Sequence, residues 1–509
     1  MPESPSTIDE LIRCRAAEHR DKPMVIDLTA RVTFGELELS TAMIAASFLE
    51  AGVTKGSRVG LIMPNGVRWV QTALALTRIG AVLVPLSTLL APRELLAQLR
   101  VASVQYLVAV DEFRGHRYRD ELNAELASAS DLPAMRHVWA PDNLPRAAAP
   151  DGMDAVSATV TATDTLVIMF TSGSSGPPKG VIHSHGNALS AVASGLTARC
   201  IDADTRLYLP MPFFWVGGFG SGILSALLAG ATLVTEEMPQ PETTLRLLER
   251  ERVSLFRGWP DQAEALARQA ESIGADLSAL RPGSLEPLLP PDQRAAPGAR
   301  AKLFGMTEAF GPYCGYRADT DMPKSAWGSC GKPFDGTEVR IVDTDTGSPV
   351  PAGTIGMIQI RGPNTLRGIC KRSREDVFTA DGFYPTGDLG HLDDDGFLFY
   401  HGRSDDMFKV SGATVYPSEV EQALRSIGGV HNAFVTDVDG RVGAVVITDE
   451  PVERLRSAAR KLLSSFKIPT VWLLVDSDDA IPRGHTGKVD VAALKQMLAG
   501  QQEAPSPPG

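Results

Sequence analysis

Residues 171 to 180 read Thr-Ser-Gly-Ser-Ser-Gly-Pro-Pro-Lys-Gly and follow directly on the apolar run Leu166-Val167-Ile168-Met169-Phe170. A buried strand that breaks into Thr171, Ser172, Gly173, Ser174, Ser175 and Gly176 offers backbone N–H groups and hydroxyls. Lys179 adds one ammonium, and all of these suit phosphate oxygens. Pro178 stands where the commoner nucleotide loop GxxxxGK[ST] requires glycine, and the stretch contains no GxSxG nucleophile elbow. A Gly/Ser loop alone is an ordinary connection, so it acquires meaning only from the rest of the chain.

Five further segments supply chemistry. Phe304-Gly305-Met306-Thr307-Glu308 brings an aromatic ring, a glycine that permits close backbone approach, a hydroxyl and a carboxylate. Tyr384-Pro385-Thr386-Gly387-Asp388-Leu389-Gly390 puts an acid on a tight turn, and Gly402-Arg403-Ser404-Asp405-Asp406 adds a bidentate donor. Lys409-Val410-Ser411-Gly412 comes next, and Pro482-Arg483-Gly484-His485-Thr486-Gly487-Lys488 is last. Singly, each has a bland reading: Asp388 as a turn residue, Arg403 as a surface ion pair, Glu308 as a helix cap, Lys488 as a solvated lysine. Their combination and order are far less expected by chance than any one of them.

The elements that must position these residues are those of a soluble α/β chain. At 509 residues the chain exceeds what one core organises, so two or more domains are expected. Its 43% apolar and 22% charged content is ordinary for a globular protein, and its net charge of −12 argues against nucleic acid as main partner. The N-terminal residues lack a basic segment followed by an apolar core, which makes a cytoplasmic location the expectation. Cys14, Cys200, Cys314, Cys330 and Cys370 contain no CxxC pair, which fits reduced thiols. Phe213 to Val234 carries no charge but contains five glycines, so a buried loop, core helix and strand fit it better than a membrane span.

Helical spacing over Phe34–Leu49 and Val70–Ile79 alternates with apolar strands at Val59–Met63 and Ala81–Pro85, which predicts α/β layers rich in parallel sheet. From Glu338 to Gly402 short strands separated by Gly- and Asp-rich turns predict a β-rich subdomain, with Asp393-Asp394-Asp395-Gly396 as a hairpin turn. Beyond it, a helix N-capped by Ser418 with Glu421 three residues on, further strands and a helix over Val452–Ser465 predict a small α+β unit. The expected division is residues 1–402, 403–500 and a disordered tail, 501–509.

The five segments, with the loop at 171–180, make the chain resemble the acyl-adenylate-forming superfamily of acyl-CoA ligases, luciferases and peptide-synthetase adenylation domains, most of all the acyl-CoA ligases. The resemblance covers roughly residues 10 to 497. It implies a large N-terminal domain, a small mobile C-terminal domain, and the substrates ATP and coenzyme A with Mg2+. A carboxylate would attack the α-phosphate, pyrophosphate would leave, and the acyl group would pass to a thiol. By the same resemblance the loop and Lys179 meet phosphates and Phe304 and Gly305 meet adenine. Thr307 and Glu308 serve the metal, and Asp388 and Arg403 hold ribose and phosphate. Lys488 bridges carboxylate and α-phosphate, Asp405 is the hinge, and Gly412 borders the entry of the thiol arm.

Two departures stand out. Pro212-Phe213-Phe214-Trp215-Val216-Gly217-Gly218 puts an indole where relatives often carry imidazole, so Phe214, Trp215 and Gly217 are expected at the acid pocket. Arg281-Pro282-Gly283-Ser284-Leu285-Glu286-Pro287 abridges the usual Gly-rich turn, with Gly283 and Ser284 as stand-ins for its adenine contacts. These departures leave open transfer to a carrier-protein thiol or an amine, or activation of an inorganic oxyanion such as nitrite for diazo formation; a non-catalytic nucleotide binder is the alternative of a different class. His183 and His185 have metal-compatible spacing, but lack nearby further ligands and read as structural.

Overall fold

The computed structural model describes residues 5–129, 132–144, 147, 149–171, 178–258, 260–404, 407–410, 413–463, 467–483 and 489–500. Ser172, Gly173, Ser174, Ser175, Gly176, Asp405, Gly412, Lys488 and the tail 501–509 lie outside the described residues. The chain divides into two compact units. One holds Met1–Val339, Ile360–Tyr384 and Gly396–Leu398, and the other Arg340–Gln359, Pro385–Asp395 and Phe399–Gly509.

The first unit is layered. Its seven-stranded sheet runs in the order Gly368–Ile369, Lys179–Ser184, Thr165–Thr171, Val82–Pro85, Arg58–Ile62, Tyr106–Ala109, His137–Trp139. The central pairs are parallel, and Thr165–Thr171 with Lys179–Ser184 is antiparallel. Arg58–Ile62 and Val82–Pro85 are buried almost throughout, as strands covered on both faces must be, and their continuous apolar runs follow from that. Helices Phe34–Glu50 and Val67–Arg78 fall where helical spacing predicts them. Thr33 caps the first, accepting from Glu36 N–H while the Glu36 carboxylate accepts from Thr33 N–H.

A five-stranded sheet in the same unit runs Leu255–Phe256, Arg206–Tyr208, Thr232–Val234, Pro23–Ile26, Arg31–Thr33. The uncharged stretch from Phe213 supplies a helical segment containing a π-helical turn, Phe219–Leu224, and then the strand Thr232–Val234. No helix among the described residues is long and apolar enough to cross a membrane. A three-stranded antiparallel sheet, Phe304–Met306, Gly311–Gly315, Lys332–Pro333, completes the unit.

Most of a four-stranded sheet belongs to the second unit, in the order Glu338–Val342, Gly356–Arg361, Tyr384–Leu392, Leu398–Arg403, as the turn-rich pattern predicts. Asp393 accepts from the Asp395 N–H and Gly396 adopts φ +80°, the expected hairpin turn. Further on, Arg441–Thr448 pairs antiparallel with Val430–Val438 and parallel with Val471–Val475. Ala444 and Val446 join one core, Val445 and Ile447 another, as strand alternation dictates. The nearby helix is Pro417–Arg425, and Ser418 is not its N-cap. Pro417, with φ preset and no N–H to satisfy, takes the first helical position instead. The Ser418 hydroxyl donates to the His401 carbonyl, and Glu421 accepts from Val435 N–H.

Candidate active site

Thr171 and Lys179 are register partners at the end of the antiparallel pair. The strand Lys179–Ser184 carries His183, fully buried, whose Nε2–H donates to the Thr307 carbonyl at 2.8 Å. Its Nδ1 accepts from Asn187 Nδ2 at 3.0 Å. Burial, opposed by these two hydrogen bonds, pushes the His183 pKa down to about 4, so the ring is neutral at neutral pH. Asn187 is itself anchored by the Ser184 N–H, a capping box that fixes the helix His185–Leu196.

This arrangement pins the turn Thr307–Ala309 from one side. On the other, Tyr384 Oη donates to Glu308 Oε1 at 3.1 Å, and the Leu366 N–H donates to the Glu308 carbonyl at 2.8 Å. Glu308 is buried, and the Thr307 hydroxyl is its neighbour in sequence. A buried carboxylate beside a hydroxyl is a hard-oxygen donor set of the kind Mg2+ takes, so the residues present fit that ion.

Phe304 packs edge-on against Tyr313, ring centroids 5.5 Å apart. Gly305 is exposed, and a Cβ there would collide with the Gly311 carbonyl oxygen across the hairpin; its close approach is to the neighbouring strand. Phe310, at φ +54°, ends the turn and packs on His183, on Phe219 and against Gly220. Through Phe310 the π-helical segment and the Thr307–Glu308 turn become neighbours.

Phe214 and Trp215 meet edge to face at 5.7 Å just ahead of this segment, and a Cβ at Gly217 would lie 2.7 Å from Met211 Sδ. Asn65 holds the run from beneath: its Oδ1 accepts from Phe213 N–H at 2.8 Å and its Nδ2 donates to Met211 O at 3.0 Å. Arg199 clamps the π turn. Its Nη1 donates to Ser221 O and its Nη2 to Ser225 Oγ, and burial pulls the guanidinium pKa down to about 9. Extra residues in a helical turn often mark functional sites, and here a buried cation keeps the turn in place. Gly283 adopts φ +97°, and the Ser284 hydroxyl accepts from the Phe256 N–H in the interior.

The second unit brings Asp388 and Arg403 together. Arg403 Nη1 lies 3.3 Å from Asp388 Oδ1 and donates to Thr386 O at 2.9 Å. The Thr386 hydroxyl donates to Ile358 O and accepts from Asp388 N–H, which fixes the turn. Gly387 sits at φ +77°, and a Cβ there would be 2.7 Å from Arg403 Nη2. Glycine is thus required twice, by the backbone and by the guanidinium.

His185 accepts from the Ile8 N–H, and burial pushes its pKa down to about 4. Each imidazole of the HxH pair therefore has its own internal partner. None of the five cysteines forms a disulfide. The residues that sequence reasoning missed are Asn65, Asn187, Arg199 and Tyr384 in its hydroxyl role. Asn65, Arg199 and Tyr384 reach partners distant along the chain, whereas Asn187 pairs locally with Ser184 and His183 in a cap without the usual Glu or Gln; only Tyr384, within YPTGDLG, lay in a motif.

Residues 12–370 match the family of AMP-binding enzymes. A ligase from Mycobacterium tuberculosis (strain ATCC 25618 / H37Rv) that makes the coenzyme A ester of 3-[(3aS,4S,7aS)-7a-methyl-1,5-dioxo-octahydro-1H-inden-4-yl]propanoate is 32% identical, over 97% of this chain and 98% of its own. Feruloyl-CoA synthase from Amycolatopsis sp. is 31% identical over 90% and 92%. Among solved structures, the anthranilate CoA ligase AuaEII in complex with anthranoyl-AMP superposes with TM-score 0.81 at 22% identity, covering 99% of both chains.

Proposed function

The chain belongs to the family of AMP-binding enzymes, and from that premise we propose how its residues divide the work of an ATP-dependent, AMP-forming acid–coenzyme A ligase. It activates a carboxylic acid as acyl-AMP and transfers the acyl group to coenzyme A. In the first step a carboxylate oxygen bonds to the α-phosphorus as the bond to the β-phosphate oxygen breaks and pyrophosphate leaves. In the second, the coenzyme A sulfur bonds to the acyl carbon, AMP departs with the linking oxygen, and the thiol proton goes to solvent.

The loop Thr171–Gly176 and Lys179 neutralise the departing pyrophosphate. Phe304 lies against adenine, with Gly305, Gly283 and Ser284 in its neighbourhood. Asp388 accepts from the ribose hydroxyls, and Arg403 holds the ribose and phosphate side. Glu308 and Thr307 hold Mg2+, which when bound supplies positive charge to the phosphate oxygens. Lys488 bridges the carboxylate and the α-phosphate as charge develops. The part beyond residue 402 swivels about Asp405, and the thiol arm enters beside Gly412. Phe214, Trp215 and Gly217 wall the acid pocket. This aromatic pair, with the ring-bearing acids in the relatives' names, supports a ring-bearing acid as substrate. A cytoplasmic location, where ATP and reduced thiols coexist, goes with this reading.

The observation that carries the assignment is the near-complete span of the relatives, 97% of this chain in the first case. The test is product analysis of purified protein with ATP, Mg2+ and a panel of acids, with and without coenzyme A. AMP and a thioester together are expected. A thioester without AMP, or AMP released only with a carrier-protein or amine acceptor, rejects the assignment.

A further inference from the structure

The second unit carries a pair of imidazoles outside the nucleotide-handling residues. His391, on the strand Tyr384–Leu392, and His401, on the adjacent strand Leu398–Arg403, have Nδ1 and Nε2 only 2.8 Å apart. Their rings stack at 5.0 Å, and the Phe399 ring lies parallel to His391 with centroids 4.8 Å apart. The strand pairing fixes both backbones, and Ser418 donates to the His401 carbonyl, so the two nitrogens converge before any ligand arrives. Two carboxylates supply negative potential: Asp393 toward His391, and Glu419, gripped through both oxygens by Lys467, toward His401.

We propose that His391 and His401 form a two-imidazole site for a borderline divalent cation, the class of Zn2+, Ni2+ and Cu2+, with water completing the coordination shell. Imidazole nitrogen is the preferred donor for these ions and a poor one for Mg2+. Metal–nitrogen bonds of about 2.0–2.1 Å at a tetrahedral angle place the donor atoms about 3.3–3.4 Å apart. The rings therefore separate by roughly half an ångström from their present contact, a small χ rotation. The hydrogen now lying between the rings shifts to the outer nitrogen of its own imidazole, both lone pairs turn to the metal, and no net proton is released. Burial lowers both pKa values, which keeps the pair neutral and ready to bind at neutral pH. No third His, Cys, Asp or Glu completes the site among the described residues. Two protein ligands make an exchangeable site, not one that holds a resident ion.

The test is titration of the purified full chain with Ni2+ and with Zn2+, followed by pulsed EPR of the Cu2+ form. One ion per chain is expected, with two imidazole nitrogens coupled to copper and no competition from millimolar Mg2+. His391→Gln and His401→Gln should each weaken uptake at least about tenfold and leave one coupled imidazole. Their melting temperatures verify that both variants fold. Equal affinity in wild type and variants, or fewer than two coupled imidazoles in the wild type, overturns the proposal.

Discussion

The Tyr384 hydroxyl donates to Glu308 Oε1 at 3.1 Å, in the interior and across 76 residues of sequence. One residue earlier in the same turn, the Thr307 carbonyl accepts from His183. The carboxylate proposed to hold the metal is thus oriented by a neutral donor.

Tyr384→Phe removes that donor and keeps the ring that packs on Phe378. A hydrogen bond to a charged group contributes about 1.5–3 kcal/mol, so the Mg2+ concentration for half-maximal pyrophosphate exchange should rise about tenfold or more. Manganese binding followed by EPR in the presence of ATP gives a readout independent of turnover. Unchanged metal dependence in both measurements would remove Tyr384 from this role.

His183 and His185 both have folded pKa values of about 4 against 6.5 in the unfolded chain. The unfolded chain therefore takes up protons first as pH falls. Their contribution is fully present above pH 6.5 and lost as pH drops toward 4, by up to about 3 kcal/mol for each ring. Urea denaturation between pH 7.5 and 4 should show this loss, and His183→Gln should recover roughly half of it. Stability that stays level or rises on acidification would contradict the assignment of two buried neutral rings.

Gly387 and Gly440 offer a matched pair. Both have φ near +75°, but only at Gly387 would a Cβ meet a side chain, Arg403 Nη2; at Gly440 it would meet nothing within 4 Å. Alanine at either position should cost about 1 kcal/mol in backbone strain. Only Gly387→Ala should also raise the KM for ATP, by about tenfold, because it displaces Arg403. Equal kinetics in the two variants would separate Arg403 from nucleotide binding.

Lys488→Ala should suppress adenylation by orders of magnitude while leaving ATP affinity nearly intact, since in the proposed role the ammonium acts on charge that develops only in the transition state. Single-turnover kinetics alongside equilibrium ATP binding distinguishes the two effects. A comparable loss of ATP affinity would contradict this role.

Much of the layout was legible because it rests on local patterns. Helix and strand periodicities placed Phe34–Glu50, Val67–Arg78 and the strands Arg58–Ile62 and Val82–Pro85 to within a few residues. The motifs at 304–308 and 384–390 marked segments that the fold joins through the Tyr384–Glu308 hydrogen bond. Ser418 was misjudged as a cap because Pro417 competes for the start of the same helix. The supporting residues were not legible for a different reason. Asn65 reaches Phe213 across 148 residues, and His183 reaches Thr307 across 124; no periodicity encodes such pairings. Gly305 illustrates a third case: the sequence shows that glycine permits close approach, and only the fold shows that Gly311 makes that approach.

The most direct measurement of the whole account uses an acid labelled with ¹⁸O in both carboxylate oxygens, turned over with ATP, Mg2+ and coenzyme A. Attack on the α-phosphorus followed by thiolysis must leave one labelled oxygen in AMP, one in the thioester carbonyl and none in pyrophosphate. Unlabelled AMP, or label in pyrophosphate or inorganic phosphate, would contradict an acyl-adenylate and with it the function assigned to this fold.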